Sequence, residues 1–320
     1  MIVIAGEALI DLVAEPDGRY RALPGGSPAN VAVGLARLGH RTELLARISQ
    51  SPFGRLIREH LTSNGVGMHY AVTANEPATL AVVTRDPGAE PHYDFYLDGT
   101  ADWAWSDGEL PASLPGGTRA LCTGSLALAI EPGADVLTGL LQREQGRVTI
   151  VFDPNIRTGV MDTGPDGRAR VEAAAALADV VKVSAADLET LIPGDAAADV
   201  ATRWLSLGPR LVVVTRGAGG AYAVTSGGAR ADVAGHPVEV VDTIGAGDAF
   251  TSGLVDALGQ HGLLGAGAHR LETIDSVALR EIVEHATLVA ALTCTRPGAD
   301  PPSADFVASH RQGSRPSAQQ

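Results

Sequence analysis

The residues best suited to chemistry lie together at positions 242–250, in the run DTIGAGDAF. This run follows an apolar, strand-like stretch at 238–241 and opens an Ala/Leu-rich helix. Glycine at positions 245 and 247 lets the backbone turn sharply and approach a ligand closely. The free amides and the dipole of a first helical turn favour an anion at that point.

Asp248 is unsuited to simple anion binding, because its carboxylate repels phosphate. We interpret it as a general base that takes a proton from a hydroxyl, while the amides of Gly245, Ala246 and Gly247 stabilise charge on a transferred phosphoryl group. An aspartate in the first turn of a helix is common, so these four residues alone would be weak evidence. The complete run at 242–248, between a strand-like stretch and a helix, is specific evidence for a phosphoryl-transfer site.

Residues 242–248 resemble the C-terminal signature of the ribokinase-like (PfkB-type) carbohydrate kinases, and the resemblance covers nearly the whole chain. Residues 6–11 (GEALID) resemble the first strand of that family, which ends in a sugar-binding aspartate, here Asp11. Residues 25–30 (GGSPAN) are similar to its N-terminal signature, in which Gly25, Gly26 and Asn30 would contact sugar hydroxyls. The resemblance implies ATP and Mg²⁺ as cofactors.

Two further motifs are similar to the nucleotide side of these kinases. Residues 182–187 (KVSAAD) resemble the motif near Mg²⁺ and the phosphates, which implies roles for Lys182 and for Asp187, the latter through water. Ser184 and Asp187 would also cap a helix by themselves. Residues 215–220 (TRGAGG) resemble the ATP loop; its nucleotide contacts are assigned to Thr215, Gly217 and Gly220.

The run 293–299 (TCTRPGA) resembles the family's C-terminal loop beside the adenine and a monovalent cation. The implied K⁺ ligands, mostly backbone carbonyls, are contributed by Asp242, Ile244, Thr293, Arg296 and Gly298. Some relatives place a ligating serine where this chain has proline at 302, which leaves the need for K⁺ open.

Two segments bear on the substrate. Residues 153–157 (DPNIR) follow a strand at the face where ligands bind in such folds, and Arg157 suits a phosphate or a substrate carboxylate. Phe95 and Tyr96 resemble the lid aromatics of fructokinases, with Tyr96 assigned to close over the sugar. We rank fructose or a similar ketose first, 2-keto-3-deoxygluconate second and a nucleoside or ribose third. A catalytically inactive sugar- or nucleotide-binding regulatory protein is the alternative of another class.

The elements that must hold these residues alternate along the chain, which predicts a doubly wound, mostly parallel α/β fold. The strand candidates are 2–5, 148–152, 180–183 and 211–214, and the helix candidates are 28–38, 53–64, 134–145, 168–177, 246–258 and 279–292. Ser27 is predicted as an N-cap.

Two segments, 12–23 and 77–103, lack helices and are predicted to form an inserted β-sheet lid. The main sugar- and nucleotide-binding domain then comprises 1–11, 24–76 and 104–310. Residues 311–320 are polar and are predicted to be a disordered tail. The exposed edge of a lid sheet favours a homodimer formed through the lid.

Composition limits the remaining classes. The chain has 320 residues, 45% of them hydrophobic, and a formal net charge of −13 with no basic run, which argues against a nucleic-acid partner. The two cysteines, Cys122 and Cys294, predict neither a disulfide framework nor a zinc site. No apolar run suits a membrane and no positive leader segment is present, so we expect no membrane partner and a cytoplasmic protein.

Neither of two other nucleotide-binding motifs fits the sequence. A Rossmann oxidoreductase needs G-x-G-x-x-G. If Gly245 and Gly247 are its first two glycines, the third falls at position 250, which is phenylalanine. A P-loop kinase needs a lysine after its glycines, and Lys182, the only lysine, follows Val181. The rarity of lysine reflects a preference for arginine, but this one ammonium suggests a local function.

Overall fold

The computed structural model describes residues 1–15, 17–84, 92–106 and 108–313. Within these ranges the strands are β1 Ile2–Ala5, β2 Leu9–Ala14, β3 Tyr20–Gly25, β4 Thr42–Leu45, β5 Arg47–Ser49, β6 Val72–Ala74, β7 Leu80–Thr84, β8 His92–Tyr96, β9 Ala120–Gly124, β10 Thr149–Asp153, β11 Val180–Ser184, β12 Leu211–Thr215, β13 Ala221–Thr225 and β14 Arg230–Val233. The α-helices are α1 Ser27–Arg37, α2 Pro52–Ser63, α3 Gly133–Glu144, α4 Pro165–Ala176, α5 Ala185–Leu191, α6 Ala197–Leu205, α7 Ala246–Gln260, α8 Ser276–Thr293 and α9 Ala304–Gly313.

The larger sheet of the described residues has the strand order β14-β13-β12-β11-β10-β9-β1-β4. Neighbouring strands from β12 to β4 run parallel, and β13 and β14 pair antiparallel. The predicted mostly parallel α/β fold is therefore confirmed. The four strand candidates and six helix candidates of the alternating pattern are all present, with ends that differ by a few residues.

Helices cover both faces of this sheet, and β1 shows why. Ile2 and Ile4 pack into the core shared with α1, α7 and α8, whereas Val3 and Ala5 pack into the core shared with α3 to α6. A strand buried on both faces needs apolar side chains at every position, which explains its continuous apolar sequence. None of the helices in the described part of the chain is long and apolar enough to cross a bilayer. The cytoplasmic location stays a prediction.

A smaller sheet, with the order β3-β2-β7-β8, carries the segments predicted as the lid. The division into a lid at 12–23 and 77–103 and a main domain stays a prediction. Within the predicted tail, residues 311–313 end α9 and so are helical, whereas 314–320 lie outside the described residues, as do 16 and 85–91 of the predicted lid.

The strand predicted at 238–241 is wrong. No strand of the described residues pairs with them, and the amides of Val241 and Asp242 donate instead to the carbonyl of Cys294 at the end of α8. Val240 and Val241 are 59% and 58% exposed, so their apolar character does not come from burial in the sheet. Val240 instead lines a cavity described below.

Candidate active site

The first turn of α7 is the centre of the site. Its N-cap, Gly245, is in the left-handed region with φ 74°, and a Cβ there would lie 2.6 Å from the Cβ of Ala299. Only glycine meets both conditions. The turn therefore closes tightly against the C-terminal loop and leaves the amides that begin α7 as an anion-binding end.

Asp248, in this first turn, is buried and held by two residues of α1. The Ser27 hydroxyl donates to Oδ1 at 2.6 Å, and the Asn30 amide donates to Oδ2 at 2.8 Å. Ser27 is not the predicted N-cap, because Gly26 takes that position with φ 100° and no side chain caps α1. The Ser27 hydroxyl is used by Asp248 instead, so two helices fix the carboxylate's orientation.

A small cavity of about 70 Å³ lies on the Asp248 side of this turn. Its lining comprises Glu7, Leu9, Asp11, Gly26, Ser27, Asn30, Tyr93, Phe95, Ser125, Leu126, Arg157, Ile244, Gly245 and Asp248. The structure thus brings together Asp11, Gly26, Asn30 and Arg157 from three separate motifs. Gly25 lies behind them, where a Cβ would approach Asp11 Oδ2 to 2.3 Å.

Tyr96 does not reach this cavity. Successive side chains of a strand point to opposite faces, so Tyr93 and Phe95 face the cavity whereas Tyr96 is 62% exposed on the other face of β8. The structure does not bring Tyr96, which is predicted to close over the sugar, to the cavity; Tyr93 and Phe95 of the same strand line it instead.

Charge is concentrated in this cavity. Burial, with a smaller effect from Asp248, raises the pKa of the Asp11 carboxyl to about 6, against the opposing attraction of Arg157. Arg157 belongs to a turn in which Asn155 is left-handed with φ 40°. Asp187 holds this turn, since its Oδ1 accepts from the amide of Ile156 at 3.0 Å.

A larger cavity of about 450 Å³ lies on the other side of the α7 N-terminus. Its lining is mostly apolar and comprises Thr215, Gly217, Ala218, Gly220, Gly235, His236, Pro237, Val238, Val240, Thr243, Ala246, Gly247, Phe250, Thr287, Ala290, Ala291 and Cys294. The predicted nucleotide contacts Thr215, Gly217 and Gly220 all lie on it. The two cavities therefore meet at one helix N-terminus, with a carboxylate between them.

Comparison with known proteins agrees with this geometry. The sequence model of the protein family described as "pfkB family carbohydrate kinase" matches residues 1–305. The chain belongs to this family. It is a phosphotransferase that transfers the γ-phosphoryl group of ATP to a hydroxyl of a small sugar.

Several relatives of the kinase share nearly its full length. A fructokinase of Klebsiella pneumoniae is 35% identical over 82% of this chain and 85% of its own. The crystal structure of a Xylella fastidiosa fructokinase with bound ATP superposes with a TM-score of 0.89 at 28% identity, covering 98% of each chain. The crystal structure of a Vibrio cholerae fructokinase variant bound to fructose, ADP and potassium superposes with a TM-score of 0.83 at 29% identity, covering 97% of this chain and 98% of its own.

Lys182 of the kinase lies beneath the anion-binding turn. Its ammonium donates to Asp153 Oδ2 at 2.8 Å, and a Cβ on Gly247 would lie 3.2 Å from Nζ. Burial disfavours the charged amine, but Asp153, Asp187 and Asp248 outweigh burial and raise the pKa of Lys182. A permanent positive charge thus supports the first turn of α7 from below.

The carboxylate of Asp187 makes hydrogen bonds with both of its oxygens. Its Oδ2 accepts from the amide and the hydroxyl of Ser184, which completes the predicted capping box of α5. With Oδ1 bound to the amide of Ile156, the carboxylate joins two loops of the site. Its role toward a metal stays a prediction.

The residues assigned to a monovalent cation lie near one another. Asp242 accepts from the amides of Ile244 at 3.2 Å and Gly298 at 2.9 Å, which joins the loop before α7 to the C-terminal loop. Thr293 is buried at the end of α8, and the guanidinium of Arg296 lies over the Phe306 ring. Among the described residues no group of three or more His, Cys, Asp or Glu side chains is arranged to hold a metal ion.

Sequence reasoning missed several residues of the site. Glu7 and Ser125 line the small cavity, and Val240, Phe250 and Cys294 line the large one. In the sequence, Val240 is part of a hydrophobic run at 238–241 that resembles a strand, so its place in the cavity is not apparent. Ser125 has φ 55°, a conformation rare for non-glycine residues, and no sequence signal announces it.

Proposed function

We propose that this chain is a fructokinase, with fructose or a closely similar ketose as the phosphoryl acceptor. The observation that carries the proposal is the position of Asp248, which faces the small polar cavity while Ala246 and Gly247 line the large apolar one. A sugar and the γ-phosphate of ATP would meet at this turn. The named relatives, and the fructose bound in the Vibrio structure, support the choice of sugar.

In the proposed mechanism Asp248 takes the proton of a primary hydroxyl of the sugar. The hydroxyl oxygen then forms a bond to the γ-phosphorus in line, and the bond to the β,γ-bridging oxygen breaks to release ADP. The amides of Gly245, Ala246 and Gly247 stabilise the charge on the transferred group, with Lys182 adding positive charge beneath them. Asp11, Gly26, Asn30 and Arg157 orient the sugar.

The residues present fit a Mg²⁺ ion held through water. Asp153 Oδ1 is buried and has no hydrogen-bond partner within the described part of the chain, and the negative charge of Asp187 is close enough to help raise the pKa of Asp153, although burial raises it most. Hard oxygen ligands of this kind suit Mg²⁺, which keeps several waters and binds phosphates. The ion would neutralise phosphate charge. We also propose a K⁺ site of backbone carbonyls where Asp242 joins the C-terminal loop.

We propose that the small sheet closes over the sugar and that its outer face receives a second copy of the chain. Phe95 and Tyr93 face the cavity, which suits a lid that excludes water. On the other face, the strand register places Tyr20 and Tyr96 with half-buried Leu12 and Val82. The same face carries the exposed ion pair of His92 and Asp94. Exposed tyrosines beside apolar and charged side chains are typical of an interface.

The test is ADP release from Mg-ATP with fructose, ribose, 2-keto-3-deoxygluconate, adenosine and fructose-6-phosphate, each with and without K⁺. We expect the highest kcat/KM with fructose. Preference for 2-keto-3-deoxygluconate would support the second candidate, in which Arg157 pairs with the substrate carboxylate. Absence of turnover with every sugar would contradict the proposal and favour a binding protein.

A further inference from the structure

Glu7 lines the small cavity, and the mechanism above gives it no role. Glu7 is 2% exposed, and its Oε2 has no hydrogen-bond partner among the described residues. It lines the cavity together with Asp11 and Arg157. An unsatisfied buried oxygen is costly, so a group of this kind facing a binding cavity points to a partner on the ligand.

Neighbouring residues hold Glu7 in position. The Ser125 side chain hydrogen bonds to the Glu7 carboxyl, and Asp102 fixes the following residue by accepting from the amide of Ala8 at 2.8 Å. Glu144 shows the contrast, because it is equally buried but has a structural partner on each oxygen. Its Oε1 accepts from the amide of Leu114 and its Oε2 pairs with Arg147.

We infer that Glu7 is a specificity-determining residue of the sugar site, which hydrogen bonds to a sugar oxygen other than the one that Asp248 deprotonates. The inference rests on the proposed sugar-kinase function. The two oxygens of Asp248 are held by Ser27 and Asn30, whereas Glu7 lines the same cavity from the segment between β1 and β2. The two carboxyls are therefore separate contacts for a bound sugar.

The protonation of Glu7 decides which kind of hydrogen bond it makes. Burial, and to a smaller degree the negative charge of Asp102, raises the pKa of Glu7 to about 8, against the opposing effects of Ser125 and Arg157. Asp11 and Asp248 face it across the cavity. At neutral pH the carboxyl is therefore protonated and donates to a sugar oxygen, and it loses this donor as the pH rises through about 8.

The experiment compares the wild type with Glu7→Gln and Glu7→Leu. The readouts are kcat and KM for fructose, KM for ATP and the pH dependence from about 6.5 to 9.5. We expect Glu7→Leu to raise KM for the sugar about 10- to 100-fold, with kcat and KM for ATP changed less than about threefold. Glu7→Gln keeps a neutral donor, so we expect it to stay within about threefold of wild type and to lose the rise in KM above pH 8.

A series of monodeoxy fructoses locates the sugar oxygen. One analogue should bind the wild type weakly yet lose little more in Glu7→Leu, because the variant has already lost that hydrogen bond. An equal further loss for every analogue, or an unchanged KM for fructose in Glu7→Leu, would overturn the inference. Glu144→Gln is the matched control for a buried glutamate and should leave KM for the sugar unchanged.

These outcomes separate the inference from the proposed function. If the wild type phosphorylates a sugar and the Glu7 variants do not differ from it, only the inference fails. If the wild type prefers another sugar, the same comparison uses deoxy analogues of that sugar. If the wild type turns over no sugar, the proposed function fails first.

Discussion

The two cavities that meet at the start of α7 are built in opposite ways. The larger is lined by glycines and by apolar side chains such as Val240 and Phe250, from loops and from one face of α8. The smaller is lined by carboxyls, an amide and the guanidinium of Arg157, and hydrogen bonds fix the carboxylate of Asp248 and the amide of Asn30. An apolar cavity recognises a flat ring by shape and tolerates change, whereas a polar cavity rejects any ligand that leaves its groups unpaired.

The largest effect is expected at the point where the cavities meet. Asp248→Asn removes the base but keeps the size of the side chain, so kcat should fall by about 10² to 10⁴ while KM for the sugar changes little. Steady-state kinetics with fructose and ATP measures both. Asp256→Asn, on the same helix but bound to His40 and His285, is the control and should affect thermal stability rather than kcat. Full activity of Asp248→Asn would refute the proposed base.

The next largest effect is expected at the buried ion pair of Lys182 and Asp153, which lies beneath the first turn of α7. Lys182→Met leaves the carboxylate of Asp153 buried and unpaired, which should lower the free energy of unfolding by about 3–5 kcal/mol. Denaturant titration of the double variant Lys182→Met, Asp153→Asn should show much of this stability restored. If Lys182 supports the anion-binding turn, kcat of the stable double variant stays low; recovery of kcat together with stability would make its role purely structural.

The small cavity should respond steeply to one methyl group. Gly25→Ala places a Cβ 2.3 Å from Asp11 Oδ2, so the carboxylate must move. We expect KM for the sugar to rise about tenfold to a hundredfold and KM for ATP to stay within about twofold. Gly116→Ala is the matched control, because its Cβ would meet nothing within 4 Å. An unchanged sugar KM would remove Asp11 from the binding site.

The large cavity should respond weakly. Val240→Ala removes two methyl groups from its lining, and the lost apolar contact should raise KM for ATP about two- to fivefold. Val241 is equally exposed but does not line the cavity, so Val241→Ala serves as the control. A change in KM for ATP of more than about 30-fold in Val240→Ala would mean that this cavity is as exacting as the sugar side.

Motifs and periodicity predicted the frame of the site but not its inner contacts. The run 242–248 and the parallel strands were predictable because glycine spacing and continuous apolar runs have few structural solutions. The use of Ser27 by Asp248 was not, since it depends on how α1 packs against α7. The face of β8 follows from the two-residue period of a strand once its register is known, which places Phe95 rather than Tyr96 at the cavity.

Exposed β-branched residues account for the incorrect prediction of a strand at 238–241. The valines at 238–241 have the composition of a strand, but in the part of the chain that the structure describes no strand pairs with them. Composition records only that a residue benefits from apolar surroundings. Here part of those surroundings is the wall of a cavity, which a single sequence does not distinguish from a sheet.

Lys182, the only lysine of the chain, is 3% exposed and ion-paired. An amine-directed acylating reagent therefore reaches this side chain only while the floor of the site is open. The rate of acylation at Lys182, followed by mass spectrometry, therefore measures how often the site opens, and no probe residue has to be engineered. A slower rate in the presence of one substrate would measure how far that substrate alone keeps the site closed.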